Sequence, residues 1–597
     1  MVRWRAAVST HAWRWRRPSS GLIVLVATGA AFAASSFRAP ISAAPGVVTL
    51  SIVGTNDLHG AVAPREGRGG LAVLAGFLEN LRASRARDGG AVLLFDGGDM
   101  FQGTLESNLN EGAAVVAAYN RLGYTAATIG NHEFDFGPSG ERATPRETTD
   151  DPRGALKARA QEARFPFLAA NLIDTNTGEA VRWKNVQPSA LIRAGGISVG
   201  VVGVTTIGTL RSTTSANTIG LAVAPLAPTI VTQATRLRAE GAAVVVVVAH
   251  AGGRCTRFED PANTSSCEQP SEIGELASRL PKGLVDVIVA GHTHSGIAHE
   301  IAGVAVIEAF MSGRAFGRVD LTVTRERPHV IGRRIFRPRD VCAREDAKTR
   351  RCADPSTNKE SVRVQYEGKD VAPDRAMEAV LAPAIEEARH VKEASLGVHL
   401  DTAIRRAHSA ESALGNLFAD SMLEAVPHAD VAITNGGGLR ADLRPGALTF
   451  GDLYEAMPFD NRLVQLRLTG EELTRVLAAN LGASTGILSV AGVVVRAGCH
   501  EGVLQTTVAR RSGDAIRENE ELTVVTSDFL ATGGDGAFAP VGILRVVDAG
   551  DDGPLVRDAI AERLRERGGH LGEQQVFDRS HPRWTYPGDR PVRCHAD

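Results

Sequence analysis

Five short aliphatic runs in the first half of the chain each stop at histidine, aspartate or asparagine beside glycine, and this recurrence constrains the fold most. Leu50 to Val53 leads to Gly54-Thr55-Asn56-Asp57-Leu58-His59-Gly60, and Val92 to Phe95 leads to Asp96-Gly97-Gly98-Asp99. Ala126 to Ile129 runs into Gly130-Asn131-His132-Glu133-Phe134-Asp135, and Val244 to Ala249 stops at His250-Ala251-Gly252-Gly253. Val285 to Ala290 ends at Gly291-His292-Thr293-His294. Such runs read as buried strands, and the helical stretches between them, such as Leu71 to Ala86 and Asp151 to Ala163, predict a layered α/β domain over residues 45–340. Ligands of open α/β sheets bind beyond the carboxyl ends of strands, so clusters scattered from Asp57 to His294 can converge.

The residue types narrow the chemistry. Carboxylate, imidazole and amide oxygen without thiolate suit divalent Zn, Mn, Co or Fe. Asp57, His59, Asp99, Asn131, His250, His292 and His294 are too many ligands for one tetrahedral ion and fit two. With Asp99 as the bridge, Asp57, His59 and His294 complete one site, and Asn131, His250 and His292 the other. Two ions about 3.5 to 4 Å apart bring the pKa of a shared water close to neutrality and stabilise charge on a phosphorus under attack. An alkoxide leaving group needs a proton donor, a task that suits His132, with Asp135 orienting the ring and favouring its charged form.

Charge and cysteine usage bound the setting. Arg3, Arg5, Arg14, Arg16 and Arg17 precede an apolar run from Gly21 to Ala34 that is too short to span a bilayer, so residues 1–44 read as a signal peptide. Small residues at 31–33 and at 42–44 offer two cleavage sites. Without the six arginines of that segment the chain carries 60 basic against 68 acidic side chains, which disfavours a nucleic acid polymer or an anionic membrane as partner. No later run is long enough to span a membrane, so the expectation is an exported protein of the periplasm or the extracellular space, monomer or dimer. Six cysteines in an exported chain favour disulfides, and proximity suggests Cys255 with Cys267, Cys342 with Cys352, and Cys499 with Cys594. Residues 341–394 read as a disulfide loop and a helical linker over Pro373 to Lys392, capped by Asp374 and kinked at Pro383. A second α/β block follows over 395–577, with a tail at 578–597.

Asp57-Leu58-His59, Gly98-Asp99, Gly130-Asn131-His132-Glu133, His250 and Gly291-His292-Thr293-His294, in this order, resemble the calcineurin-like dinuclear metallophosphoesterases. The second block resembles the 5'-nucleotidase and UDP-sugar hydrolase branch of that family, through Asn435-Gly436-Gly437-Gly438-Leu439-Arg440, Met457-Pro458-Phe459 and Phe529-Leu530-Ala531-Thr532-Gly533-Gly534-Asp535. The resemblance implies a four-layer α/β/β/α metal domain and a separate α/β substrate domain joined by a helix. It also implies two divalent ions, phosphate held by Asn435 and Arg440, a base between Phe459 and Phe529, and Asp535 near the ribose. The implied enzyme is a 5'-nucleotidase that removes phosphate from nucleoside 5'-monophosphates through a hydroxide shared by the two ions. A UDP-sugar diphosphatase, a 2',3'-cyclic nucleotide phosphodiesterase and an inactive nucleotide-binding protein are the alternatives. Two places depart from the family pattern. In Glu411-Ser412-Ala413-Leu414-Gly415-Asn416 an alanine replaces the usual Asn, and the Arg usually found just upstream is missing, leaving Arg405 or Arg406 to supply a second phosphate contact. His294 stands where some members place an amide.

Overall fold

The computed structural model describes residues 46–140, 142–354, 360–542, 545–548 and 553–594, so the signal-peptide expectation for 1–44 lies outside the described residues. Two sheets stack face to face in the N-terminal lobe. The first runs in the order Val330–Asp340, Ala315–Thr324, Val47–Thr55, Ala91–Asp96, Ala126–Thr128, Phe167–Leu168, Val186–Gln187. The second runs Gly296–Ile301, Val304–Ala309, Val287–Val289, Val244–His250, Ile197–Thr205, Ser189–Ala194.

The central strands of both sheets are parallel, which explains why they read as continuous aliphatic runs rather than alternating ones: both faces are covered. Leu50, Ile52, Phe95, Val199, Val246 and Val289 fill the space between the sheets. Helices Leu71–Asp88 and Ala113–Leu122 pack on the outer face of the first sheet, and Leu226–Ala239 and Glu272–Arg279 on that of the second. The result is the α/β/β/α sandwich, and all five clusters leave its strands at their carboxyl ends.

Helix Arg375–Lys392 starts at Asp374, whose side chain accepts from the Ala376 N–H at 2.9 Å. Pro383 lies inside the helix without interrupting it. Its ring is exposed, as is Ala379, whose carbonyl lacks the helical donor that proline removes. The helix buries Met377 and Leu381 in the N-terminal core, while Ala388 packs with Leu105 and Tyr454, so it is anchored to both lobes.

The C-terminal lobe centres on a sheet ordered Leu488–Ala491, Val431–Asn435, Glu521–Ser527, Leu463–Thr469, Arg545–Asp548. Helices Ala413–Ala425 and Val556–Arg567 belong to the core on one face and Gly470–Gly482 to the core on the other. Strand Trp584–Thr585 pairs with Val493–His500, and Cys499–Cys594 ties the last described segment to the same strand. Cys255–Cys267 and Cys342–Cys352 are the other two disulfides. No helix among the described residues is long and apolar enough to cross a membrane.

Candidate active site

The clusters converge. Asp57, His59, Asp99 and His294 place one potential ligand atom each within 4.8 Å of one another, and Asp99, His250 and His292 do the same, so Asp99 is common to both groups. Asn131 joins the second group, its Oδ1 lying 3.0 Å from His250 Nε2. All seven proposed ligands therefore meet at one edge of the sandwich, and Asp57, Asp99 and His250 are sealed from solvent.

Hydrogen bonds aim these side chains inward. His59 Nδ1 faces the Gln102 carbonyl at 2.9 Å and His250 Nδ1 the Gly97 carbonyl at 2.8 Å, so both rings turn Nε2 toward the cluster. Asn131 donates its amide to the Ser212 carbonyl at 3.0 Å and turns its oxygen to His250. Asn56 donates to Asp57 at 2.7 Å and accepts from the Ala309 N–H at 2.8 Å. His59 Nε2 lies 2.9 Å from His294 Nε2, and His250 Nε2 lies 3.1 Å from His292 Nδ1. Imidazole nitrogens, carboxylate oxygens and an amide oxygen gathered at these distances form a donor set that fits divalent metals. Burial works against charge on Asp99, but His250 and His132 beside it hold its carboxyl well below the usual range.

The backbone here is strained. Asp57, His59, Asp99, His292 and His294 all have φ between 49° and 80°, a left-handed conformation that costs a non-glycine residue roughly 1 kcal/mol or more. Glycines permit the crowding: a Cβ on Gly130 would sit 2.1 Å from Asp99 Oδ1. Glu133, to which the sequence assigned no role, clamps two loops of the cluster by accepting from the N–H groups of Gly130, Asp99 and Met100 at 2.7, 2.8 and 2.6 Å. Burial, then the Asp99 charge, pushes its carboxyl up to about 8.

His132 stands at the cavity side of this cluster, in a 3-10 turn at His132–Phe134. Its Nδ1 meets Asp135 Oδ2 at 2.6 Å, and Thr213 Oγ1 donates to the other Asp135 oxygen at 2.7 Å. Burial disfavours the imidazolium, but Asp135 and Asp99 outweigh it and raise the pKa above the ordinary histidine value.

A cavity of about 310 Å³ extends from Asp99, Asn131, His132, His292 and His294 to Asn435, Arg440, Phe459, Phe529 and Asp535 of the other lobe. Asn435 donates to Asp535 at 2.6 Å. Arg440 lies over the Phe459 ring at 5.3 Å; protein surrounds it on most sides, yet its side chain stays open to water because it lines the cleft between lobes. Burial lowers its pKa from the usual guanidinium value. Arg405 and Arg406 separate: Arg405 is exposed and faces Glu573 at 3.6 Å, away from the cavity, whereas Arg406 donates to the Leu439 carbonyl at 3.1 Å, next to Arg440.

Arg557 has no counterpart among the sequence expectations. Buried beneath Tyr454 at 4.2 Å, it donates to the carbonyls of Met457 and Phe459 at 3.2 and 3.0 Å and to the Asp460 carboxylate at 2.5 Å, fixing the segment that carries the Phe459 ring. Gln102 ties the same segment to the N-terminal lobe by donating to the Pro458 carbonyl at 2.5 Å.

Residues 50–296 match the family model of calcineurin-like phosphoesterases, and residues 390–541 match that of the 5'-nucleotidase C-terminal domain. Protein UshA of Yersinia enterocolitica is 26% identical over 514 residues, covering 82% of this chain and 86% of its own length. Endonuclease YhcR of Bacillus subtilis is 25% identical over 511 residues, which are 83% of this chain and 38% of that longer relative. The crystal structure of a 5'-nucleotidase precursor from Thermus thermophilus shares the fold, with a TM-score of 0.67, 23% identity, and 90% of this chain and 99% of that one covered.

Proposed function

Because the chain belongs to the 5'-nucleotidase family of calcineurin-like phosphoesterases, we propose that it hydrolyses nucleoside 5'-monophosphates to nucleoside and inorganic phosphate. One observation carries the reading: a single cavity is lined by the metal-ligand cluster on one side and by Arg440, Phe459, Phe529 and Asp535 on the other. Asp57, His59, Asp99 and His294 would hold one divalent ion, and Asp99, Asn131, His250 and His292 the second. Such a pair, when bound, supplies an activated water at neutral pH and neutralises charge on phosphorus.

The chain's own groups supply the rest. Arg440, with Asn435, holds the phosphate, since guanidinium forms two parallel bonds to its oxygens. Phe459 and Phe529 take the base between their rings and Asp535 the ribose, an arrangement tolerant of base identity because every base has a π-face. His132, kept charged by Asp135, gives its proton to the departing 5'-oxygen and leaves the imidazole neutral. The metal-ligand lobe spans residues 45–340, the substrate lobe 395–577, and export to the periplasm or beyond fits the three disulfides and the apolar run near the N-terminus.

Phosphate released from AMP, UDP-glucose and 2',3'-cyclic AMP, each with Mn or Zn added and with a chelator, tests the reading. The expected order puts AMP first, with activity lost on chelation. Preference for UDP-glucose or the cyclic diester moves the assignment to those reactions on the same site. Nucleotide binding without metal-dependent release from any of the three leaves a binding protein.

A further inference from the structure

A second cavity, of about 500 Å³, meets the first at Gln102, His294, Arg440 and Pro458 and continues on the opposite side, past His59. Its lining differs in kind. The first cavity carries two phenylalanines of the proposed base site, whereas the second carries Arg65, Arg68, Arg314, Lys392, Arg406 and Arg440 against two acids, Glu106 and Glu455. Lys392 is paired with Glu106 and Arg65 with Glu455, and Arg68 lies 3.3 Å from Asp340. Arg314, Arg406 and Arg440 have no carboxylate partner within salt-bridge distance among the described residues. Pro64, Arg65, Arg68 and Arg314 are exposed at its rim, so the cavity runs from the metal-ligand cluster to solvent.

We propose that this cation-lined passage binds inorganic phosphate transiently and lets it leave while the lobes remain closed on the nucleoside. The proposal rests on the nucleotidase reading. Once the phosphorus–oxygen bond is cut, the proposed base site keeps the nucleoside in the first cavity, and the rings there offer an anion nothing. The second opening begins beside His59 and His294 and offers a dianion three cations without fixed carboxylate partners. A low-dielectric cleft of one sign focuses the field and directs an oppositely charged ion along it.

Stopped-flow and rapid-quench measurements on the full-length metal-loaded enzyme with AMP provide the test. Quenching reports total phosphate formed; a fluorescent phosphate-binding reporter reports phosphate free in solution. In the parent protein the two traces should run together. Arg314→Glu reverses charge at the rim and Ala63→Trp narrows the passage. In both, free phosphate should lag behind a burst of formed phosphate, with turnover down about fivefold as release becomes limiting. Arg314→Lys should restore the parent traces, and unchanged metal content and circular dichroism separate a blocked exit from a damaged fold.

Superimposed traces in both variants overturn the exit and leave the nucleotidase reading standing. Loss of bis(p-nitrophenyl) phosphate hydrolysis in Ala63→Trp, with unhindered release from AMP, also overturns it, giving the passage to the second substituent of a diester. No phosphate in the quenched parent reaction removes the nucleotidase reading and the exit together.

Discussion

On the N-terminal side of the cavity, Asp57, Asp99, His250 and His292 leave parallel strands covered on both faces, whereas on the C-terminal side Arg440, Phe459 and Phe529 stand on turns and short helical segments. The two sides are also held differently. Five cluster residues on the first adopt left-handed backbone conformations; among them Asp57 is bonded to Asn56, Asp99 to Glu133 and His59 to the Gln102 carbonyl. The second relies on one long side chain, Arg557, reaching three partners in a neighbouring loop. Groups that position ions tolerate little displacement, because a shift of about 1 Å can cost about 100-fold in rate. Groups that hold a flat base can give slightly and still stack. Damage on the metal side should therefore abolish chemistry, and damage on the substrate side should weaken affinity.

Asp99→Asn attacks the comparison where it is sharpest. The carboxylate common to both ligand groups becomes neutral, so elemental analysis should find the loss of metal at both sites and kcat/KM should fall by at least about 1,000-fold. Retention of two ions per chain with near-normal turnover would show that Asp99 is not the bridge. His132→Ala comes next. Metal content should be unchanged, while kcat for AMP drops about 100- to 1,000-fold, the lower part of the roughly 100- to 10,000-fold range of a lost general acid. With p-nitrophenyl phosphate, whose leaving group needs no proton, most of that loss should vanish. An equal loss on both substrates would place His132 in binding rather than proton transfer.

The same contrast explains how much could be read from the sequence. Parallel strands must be apolar on both faces, so the residue types change abruptly where such a strand ends, and Asp57, Asp99, His250 and His292 stand out. His132 and Asp135 are three apart, a spacing that any helical turn closes into a contact, and they meet at 2.6 Å. The substrate side lacks that regularity. Phe459, Phe529 and Asp535, which line the same cavity, are singled out only by resemblance to a family, since a phenylalanine in a loop looks the same packed in a core or facing a ligand. Arg405 and Arg406 are adjacent and chemically alike; only tertiary context sends one to Glu573 and the other beside Arg440. Glu133 follows directly on Gly130-Asn131-His132, but its work depends on a loop more than 30 residues away in sequence.

Phe529→Ala should leave metal content and kcat near the parent values and raise KM for AMP about tenfold, because losing one stacking face costs about 1 to 3 kcal/mol. A comparable rise with p-nitrophenyl phosphate, which has no base, would show that the ring supports the fold of the cleft rather than the ligand.

Arg557→Lys is the gentlest test and the one aimed at the scaffolding of the substrate side. The lysine keeps the positive charge near Asp460 and the contact with the Tyr454 ring. As a single ammonium on a flexible stem it cannot reproduce the planar fork that reaches the Met457 and Phe459 carbonyls together. Phe459 should therefore stay in the cleft but lose its fixed angle. The expected result is a KM for AMP raised about fivefold, the equivalent of roughly 1 kcal/mol for one imperfect hydrogen bond, with kcat and metal content unchanged. A fall in kcat without a change in KM would mean that this loop positions the phosphate rather than the base, and that the two sides of the cavity are less independent than their construction implies. Gln102, which orients His59 through its carbonyl and holds Pro458 through its amide, is the residue through which such coupling would pass.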